Sequence, residues 1–183
     1  MNVFDAIVDR RSIRSYTGEP LTADELDRLL VAANCAPVAR GLFATKHLTV
    51  ITDRALLAEI EQAAAAMMGN PGVHPLYGAP ILIVVSVKFP EDPAEVEGMK
   101  NILFSDAAII VENMALEAVE LGLGTCHIWG AVRAINADPA LLAKLELPEG
   151  FTPACAAIFG KSATPYEKRE LRRDRFTRNY LKG

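Results

Sequence analysis

The sequence predicts a layered α/β or α+β domain, and three observations carry that prediction. Short apolar runs rich in β-branched residues, chiefly residues 81–87, alternate with amphipathic helical stretches. Residues 105–121 have a helical period yet are apolar on most sides, which places them inside a core or an interface. A chain of 183 residues, 51% of them hydrophobic, can also bury an ordinary core without disulfide or metal staples.

Each element has a local reason. Asn2 can cap a short helix in which Val3 and Ile7, then Phe4 and Val8, lie four residues apart on one side, and this helix delivers Arg10 and Arg11 at its end. Thr22 and Glu25 form a capping-box pattern ahead of Leu26, Leu29, Leu30 and Ala33, and that helix should stop before Pro37. Residues 47–52 read as a strand, Asp53 can cap a helix through Leu56, Leu57, Ile60 and Ala64, and the Gly- and Pro-rich residues 69–80 form a loop. Pro80 leads into the run 81–87, whose unbroken apolar character predicts a strand buried on both faces. Glu91, Asp92, Glu95 and Glu97, with two prolines, mark residues 90–100 as a solvated connection.

The apolar helix follows, interrupted only by Asp106, Glu112, Glu117 and Glu120, and ended by Gly122 and Gly124. Residues 125–129 read as a strand, Asp138-Pro139 starts a short helix, and residues 152–159 are a last strand. From about Ala163 the chain is charged and loses its apolar period, which predicts an arm lying on a surface, its own or that of a second subunit. The expected organisation is one domain over residues 1–183, with 161–183 as a basic C-terminal arm and no internal repeat.

Charge narrows the partners. The chain carries 19 Lys and Arg against 23 Asp and Glu, a net −4, yet residues 161–183 hold eight basic side chains against three acidic ones. Arg10, Arg11 and Arg14 give the other end a slight positive balance over Asp5 and Asp9. Two short basic clusters on an acidic body suit a small phosphorylated ligand, whereas duplex binding needs a broad basic face, so no nucleic acid is expected. The plain reading, that charged ends stay solvated, fits composition as well. The longest apolar run falls far short of the ~20 residues a bilayer helix needs, so no membrane role is expected. Cys35, Cys126 and Cys155 are few and odd in number, and Cys35 and Cys155 lie in Ala-rich surroundings typical of buried thiols. With no apolar leader, this predicts a reduced, cytoplasmic protein.

Several familiar chemistries fail on spacing. Gly122-Leu123-Gly124-Thr125-Cys126-His127 begins like a dinucleotide fingerprint, but its third glycine is replaced by His127 and its glycines follow a helix where the fingerprint needs a strand. A helix C-cap feeding a buried strand explains them better. Cys126 and His127, adjacent in an extended strand, point to opposite faces and cannot pair as nucleophile and base. His47, His74 and His127 are too scattered to suggest a metal site, and none is expected. The informative segment is Arg10-Arg11-Ser12-Ile13-Arg14-Ser15-Tyr16, where three guanidinium groups and two small hydroxyls can supply bidentate donors to a phosphate and to ring carbonyls.

With that segment the sequence resembles the nitroreductase family, small dimeric flavoenzymes that use FMN. The matching fragments follow in order: Ala32-Ala33-Asn34-Cys35-Ala36-Pro37, Tyr77-Gly78-Ala79-Pro80, the Gly122-to-Cys126 close of the apolar helix, and Leu147-Pro148-Glu149-Gly150-Phe151 before a strand ending at Gly160. The resemblance covers essentially the whole chain. It implies an α+β fold with a central mixed or antiparallel sheet flanked by helices, and an intertwined homodimer with FMN sites at the subunit interface. It further implies ping-pong transfer of a hydride from NADH or NADPH, through flavin N5, to a nitroaromatic, quinone or similar small electron-poor acceptor. No side chain is then needed as catalytic acid or nucleophile, because the cofactor carries the chemistry.

Carried over by position, the resemblance assigns Arg10 and Arg11 to the ribityl phosphate, adds the Ser12 hydroxyl, and brings Arg14 to the pyrimidine edge. Arg169, Arg172 or Arg173 from the tail would close the phosphate site. Pro37, Val38 and Ala39 of the other subunit would lie against the ring, and the backbone of Ile128, Trp129 and Gly130 would face N5. The chain departs from the family where Ser, Asn and Gln-Pro commonly follow Pro37: it has Val38-Ala39-Arg40-Gly41-Leu42-Phe43 instead. His127 stands where an aromatic is common, and Trp129-Gly130 replaces a glycine-richer turn. Arg40 and Phe43 could select an anionic aromatic substrate; equally, Phe43 could be core and Arg40 solvated. The alternative to an enzyme is a flavin- or nucleotide-binding module on the same fold with no turnover or a specialised one.

Overall fold

In a computed structural model, which describes residues 1–164, 170–172 and 174–181, local capping chemistry starts most of the helices. Helix α1 (Val3–Asp9) begins at Asn2, whose side chain accepts the Asp5 N–H at 2.9 Å. Helix α2 (Ala23–Asn34) opens with the full capping box: Thr22 Oγ1 accepts from the Glu25 N–H at 3.2 Å, and Glu25 Oε2 accepts from the Thr22 N–H at 2.7 Å. Two short 3-10 turns, Ala39–Gly41 and Phe43–Thr45, lead to β1 (Lys46–Ile51), and Asp53 caps α3 (Arg54–Met67). The remaining elements are β2 (Ile81–Lys88), α4 (Pro93–Glu120), β3 (Leu123–His127), α5 (Trp129–Ala137), α6 (Pro139–Ala143) and β4 (Phe151–Lys161).

The four strands form one sheet in the order β1-β2-β4-β3, and every pairing is antiparallel. The sheet divides two cores. On one face Ile51, Leu82, Val84 and Ile158 pack with Leu57 and Ile60 of α3 and Val132 and Ile135 of α5. On the other, Ile83, Val85, Ala157 and Phe159 pack with Leu29 of α2 and Leu103, Val111 and Met114 of α4. Strand β2 is buried along all but its last residue because helices cover both faces, as its unbroken apolar run predicts. The fold is α+β.

One further segment completes the sheet's free side. Ser12 makes a parallel bridge to Thr125 of β3, with the Ile13 N–H donating to the Thr125 carbonyl at 2.9 Å, and Tyr16 bridges Ser162 in antiparallel sense. Residues 10–16 are thereby laid along the β3 edge.

Three expectations need correction. Residues 90–100 are not a connection: α4 starts at Pro93, twelve residues before the apolar run begins, with Asp92 as N-cap and the proline in the first turn. The acidic residues and prolines that read as solvated linker are helix-start chemistry on an exposed first stretch. The strand expected to reach Trp129 ends at His127, and residues 129–137 form a helix that the sequence reading missed. Finally, Cys35 is exposed and Cys155 half-buried; of the three cysteines only Cys126 is buried.

Candidate cofactor-binding site

The basic segment begins where α1 stops. Arg10 is the C-cap of that helix, its N–H donating to the Ala6 carbonyl at 2.9 Å, and its extended φ/ψ turns the chain onto the β3 edge. Burial then fixes the directions: Ile13 and Tyr16 enter the core, while Ser12 and Arg14 stay exposed on either side of Ile13 and Arg11 is half-buried. The segment is held by its apolar residues and displays polar ones, as a binding edge requires.

Glu112 of α4 joins this edge to the end of β3. Its Oε1 lies 3.1 Å from Arg10 Nε and its Oε2 3.3 Å from His127 Nε2. Cys126, the neighbour of His127 in the strand, is buried in the opposite core, so the two side chains diverge as strand geometry demands. The His127 imidazole is raised from its ordinary 6.5 to about 9, first by its hydrogen bond to the Cys155 side chain and next by that to the Glu112 carboxylate, against partial desolvation. Because the folded value lies above the unfolded one, the stabilisation is complete below 6.5 and is lost as pH rises through about 9. An NMR titration of the histidine ring should place its midpoint near 9; a midpoint at 6.5 would show that neither neighbour holds the proton.

Immediately beyond His127 the chain turns into α5. Ile128 is the N-cap and has no side-chain oxygen to offer, so among the described residues no side chain caps the first-turn amides at Trp129 and Gly130, which keep the donor character of a helix start. The Trp129 side chain is 59% exposed at this turn. Thr125, opposite Ser12, and Ile128 are three extended residues apart, about 10 Å. The arginine edge and the amide-bearing turn thus share one region of the surface, linked by Glu112.

Residues Pro37, Val38, Ala39, Arg40 and Phe43 are anchored elsewhere. The Ala39 N–H donates to Asp106 Oδ1 at 3.1 Å, and Asp106 Oδ2 pairs with Lys46 Nζ at 3.0 Å, with both charged side chains only 6% exposed. Asp106 lies six residues before Glu112, about 9 Å along α4. The segment is exposed at Pro37, Arg40 and Phe43, Phe43 at 57%, so Phe43 is not a core residue. Arg40 adopts a left-handed φ of 57°. In the tail, Arg172 is exposed and its Nε pairs with Asp174 at 3.1 Å; Arg169 and Arg173 lie outside the described residues.

The functional partners that sequence reasoning missed are Glu112, Asp106 and Lys46. The two acids were visible as interruptions of an apolar helix, but their partners come from distant parts of the chain. Among the described residues no group of three or more His, Cys, Asp or Glu side chains converges, and no helix is long and apolar enough to cross a membrane.

This donor set fits FMN. Guanidinium groups and a serine hydroxyl on one edge suit a phosphate, and amides at a helix start suit the acceptor atoms of a ring. The family model described as the nitroreductase family matches residues 7–161, nearly all of the described fold. The chain belongs to the nitroreductase family. It is 30% identical over 176 residues to an FMN reductase (NAD(P)H) of Bacillus subtilis strain 168, covering 88% of this chain; it spans 66% of that relative's length. The fold is also that of a nitroreductase with bound FMN from Desulfitobacterium hafniense DCB-2, with a TM-score of 0.82 at 23% identity and full coverage of both chains. A second FMN-bound nitroreductase, from Bacteroides fragilis NCTC 9343, gives 0.76 at 24% identity, covering 98% of this chain and 100% of that one.

Proposed function

We propose that this chain is an FMN-dependent oxidoreductase that takes electrons from NAD(P)H and passes them to a small electron-poor acceptor such as a nitroaromatic or a quinone. The observation that carries the reading is the arginine edge beside β3, met by the α5 start, in a member of a family whose similar proteins are named as FMN reductases or bear FMN. Arg10, Arg11 and Ser12 hold the phosphate, Arg14 stabilises negative charge at the pyrimidine edge, and the amides of residues 128–130 orient the reactive side of the ring. When bound, FMN supplies the ping-pong redox chemistry between donor and acceptor through N5. Trp129, exposed at that turn, limits how an acceptor can lie over the ring.

The working unit in this reading is a cytoplasmic homodimer. Val3, Phe4 and Ile7 of α1 are exposed beside a groove of about 490 Å³ lined by Val31, Cys35 and Leu116, an apolar surface that a second copy would cover. Pro37, Val38 and Ala39 then reach the partner's ring, Arg40 and Phe43 contact its acceptor, and the basic tail with Arg169, Arg172 or Arg173 closes the phosphate site. Anaerobic absorption spectroscopy tests the enzyme. Purified protein reconstituted with FMN should bleach on addition of NADH or NADPH, and an Arg10→Ala, Arg14→Ala double variant should lose flavin, since each charge-assisted hydrogen bond contributes about 1.5–3 kcal/mol. Flavin that stays oxidised with either donor would favour a binding module without turnover. Full flavin retention by the double variant would overturn the assignment of both arginines.

A further inference from the structure

Glu112 places an acidic side chain against the arginine edge, and a carboxylate beside a phosphate site demands a reason. It sits mid-way on α4, with one oxygen on Arg10 Nε at 3.1 Å and the other on His127 Nε2 at 3.3 Å. Those cations come from different elements, Arg10 from the end of α1 and His127 from the end of β3. The carboxylate therefore ties together the three elements that border residues 10–14. A solitary surface ion pair would contribute little. Here one carboxylate shared by two cations leaves a net positive charge while fixing the direction of both.

We propose that Glu112 is a positioning residue for flavin phosphate: it holds the Arg10 guanidinium and the His127 imidazolium side by side, so that both cations serve one anion. The inference rests on the reading that Arg10 binds that phosphate. Among the described residues the groups facing His127 are Glu112 from α4, Cys155 from β4 and, through Glu112, Arg10. The helix brings Glu112 to this place because α4 crosses the sheet under β3, with Val111 and Met114 buried on either side of it in sequence and Glu112 left at the rim.

The experiment compares apoprotein affinity for FMN and for riboflavin, which lacks the phosphate, by quenching of flavin fluorescence in the wild type, Glu112→Gln and Arg10→Ala. The FMN-over-riboflavin preference should fall about threefold to tenfold in Glu112→Gln, as expected for the loss of two partly exposed ion pairs. A general loosening of the fold would weaken both ligands alike and leave that preference unchanged, which would overturn the proposal. So would an increased preference, because the carboxylate would then be a competitor of the phosphate. In the same variant the His127 titration should drop from about 9 towards 6.5, and an unmoved midpoint would count against the shared grip. Arg10→Ala separates the two levels. If it leaves the preference intact, the phosphate reading itself fails and takes the proposal with it; if it lowers the preference while Glu112→Gln does not, only the role of Glu112 fails.

Discussion

Replacing Asp106 by Ala should cost about 3–5 kcal/mol of folding stability, because it strands a buried ammonium. Lys46 and Asp106 are each only 6% exposed, and their 3.0 Å contact is accompanied by a hydrogen bond from Lys46 Nζ to Thr45 Oγ1 at 2.8 Å. Removing the acid leaves the lysine charge in the core and also strips the Ala39 N–H of its acceptor. Urea unfolding checks this: the midpoint should fall with the slope unchanged. A loss below about 1 kcal/mol would show that the site is wetter than its burial indicates. The companion variant Lys46→Met, Asp106→Leu should recover much of the loss, since an apolar pair can replace a buried ion pair at little cost. It should not recover all, because the Ala39 amide stays unpaired. That residue separates stability from function. The loop that Asp106 holds carries Arg40 in its left-handed conformation and the exposed Phe43, so the double variant should fold yet present residues 37–43 less uniformly.

How far the sequence could be read depended on the range of the interactions involved. Asn2, Thr22 with Glu25, and Asp53 act on amides three residues away, so the starts of α1, α2 and α3 are legible from neighbours alone. Strand β2 is legible because both its faces are buried and no period has to be resolved. The first turns of α4 escaped because their exposed acids and prolines serve equally for a linker and for a capped helix. Helix α5 escaped because Ile128 and Trp129 continue an apolar run that a strand also allows; only the β4 partner, whose pairing with β3 ends at His127, decides where the strand stops. The same distinction holds in the site. Arg10, Ser12 and Arg14 stand close together in sequence and announce themselves, whereas Glu112 and Asp106 gain meaning only when α4 brings them to Arg10, His127, Ala39 and Lys46. The exposure of Cys35, too, is set by its position at the C-cap of α2, where the chain leaves the core, and not by its Ala-rich neighbours.

Gly124, in the stretch that begins like a dinucleotide fingerprint, has a packing task that can be tested by adding one methyl group. Gly124 of β3 faces Gly160 of β4 in register, and together they leave a notch in the sheet under residues 10–16. A Cβ on Gly160 would stand 2.6 Å from Pro80 Cδ and 3.0 Å from Tyr16 Cδ1; one on Gly124 would stand 2.9 Å from Ile13 Cγ2 and 3.0 Å from Tyr16 Cε1. Neither Pro80 nor Tyr16 can easily give way. The proline ring is rigid, and the tyrosine hydroxyl is tied to the Ile13 carbonyl at 3.0 Å. Gly160→Ala should therefore reach the upper end of the cost of overpacking, about 3 kcal/mol, and Gly124→Ala a little less. Gly98→Ala is the control: it lies within α4 with nothing inside 4 Å of the added carbon, and should stabilise by about 0.5–1 kcal/mol. Because the added methyls push against the two residues that pin the arginine edge, the variants should also bind FMN more weakly in the conditions where they remain folded. If Gly124→Ala lowered the unfolding midpoint while leaving FMN affinity untouched, Ile13 and Tyr16 would be anchoring the fold without aiming the arginines, and the edge beside β3 would no longer explain where the phosphate goes.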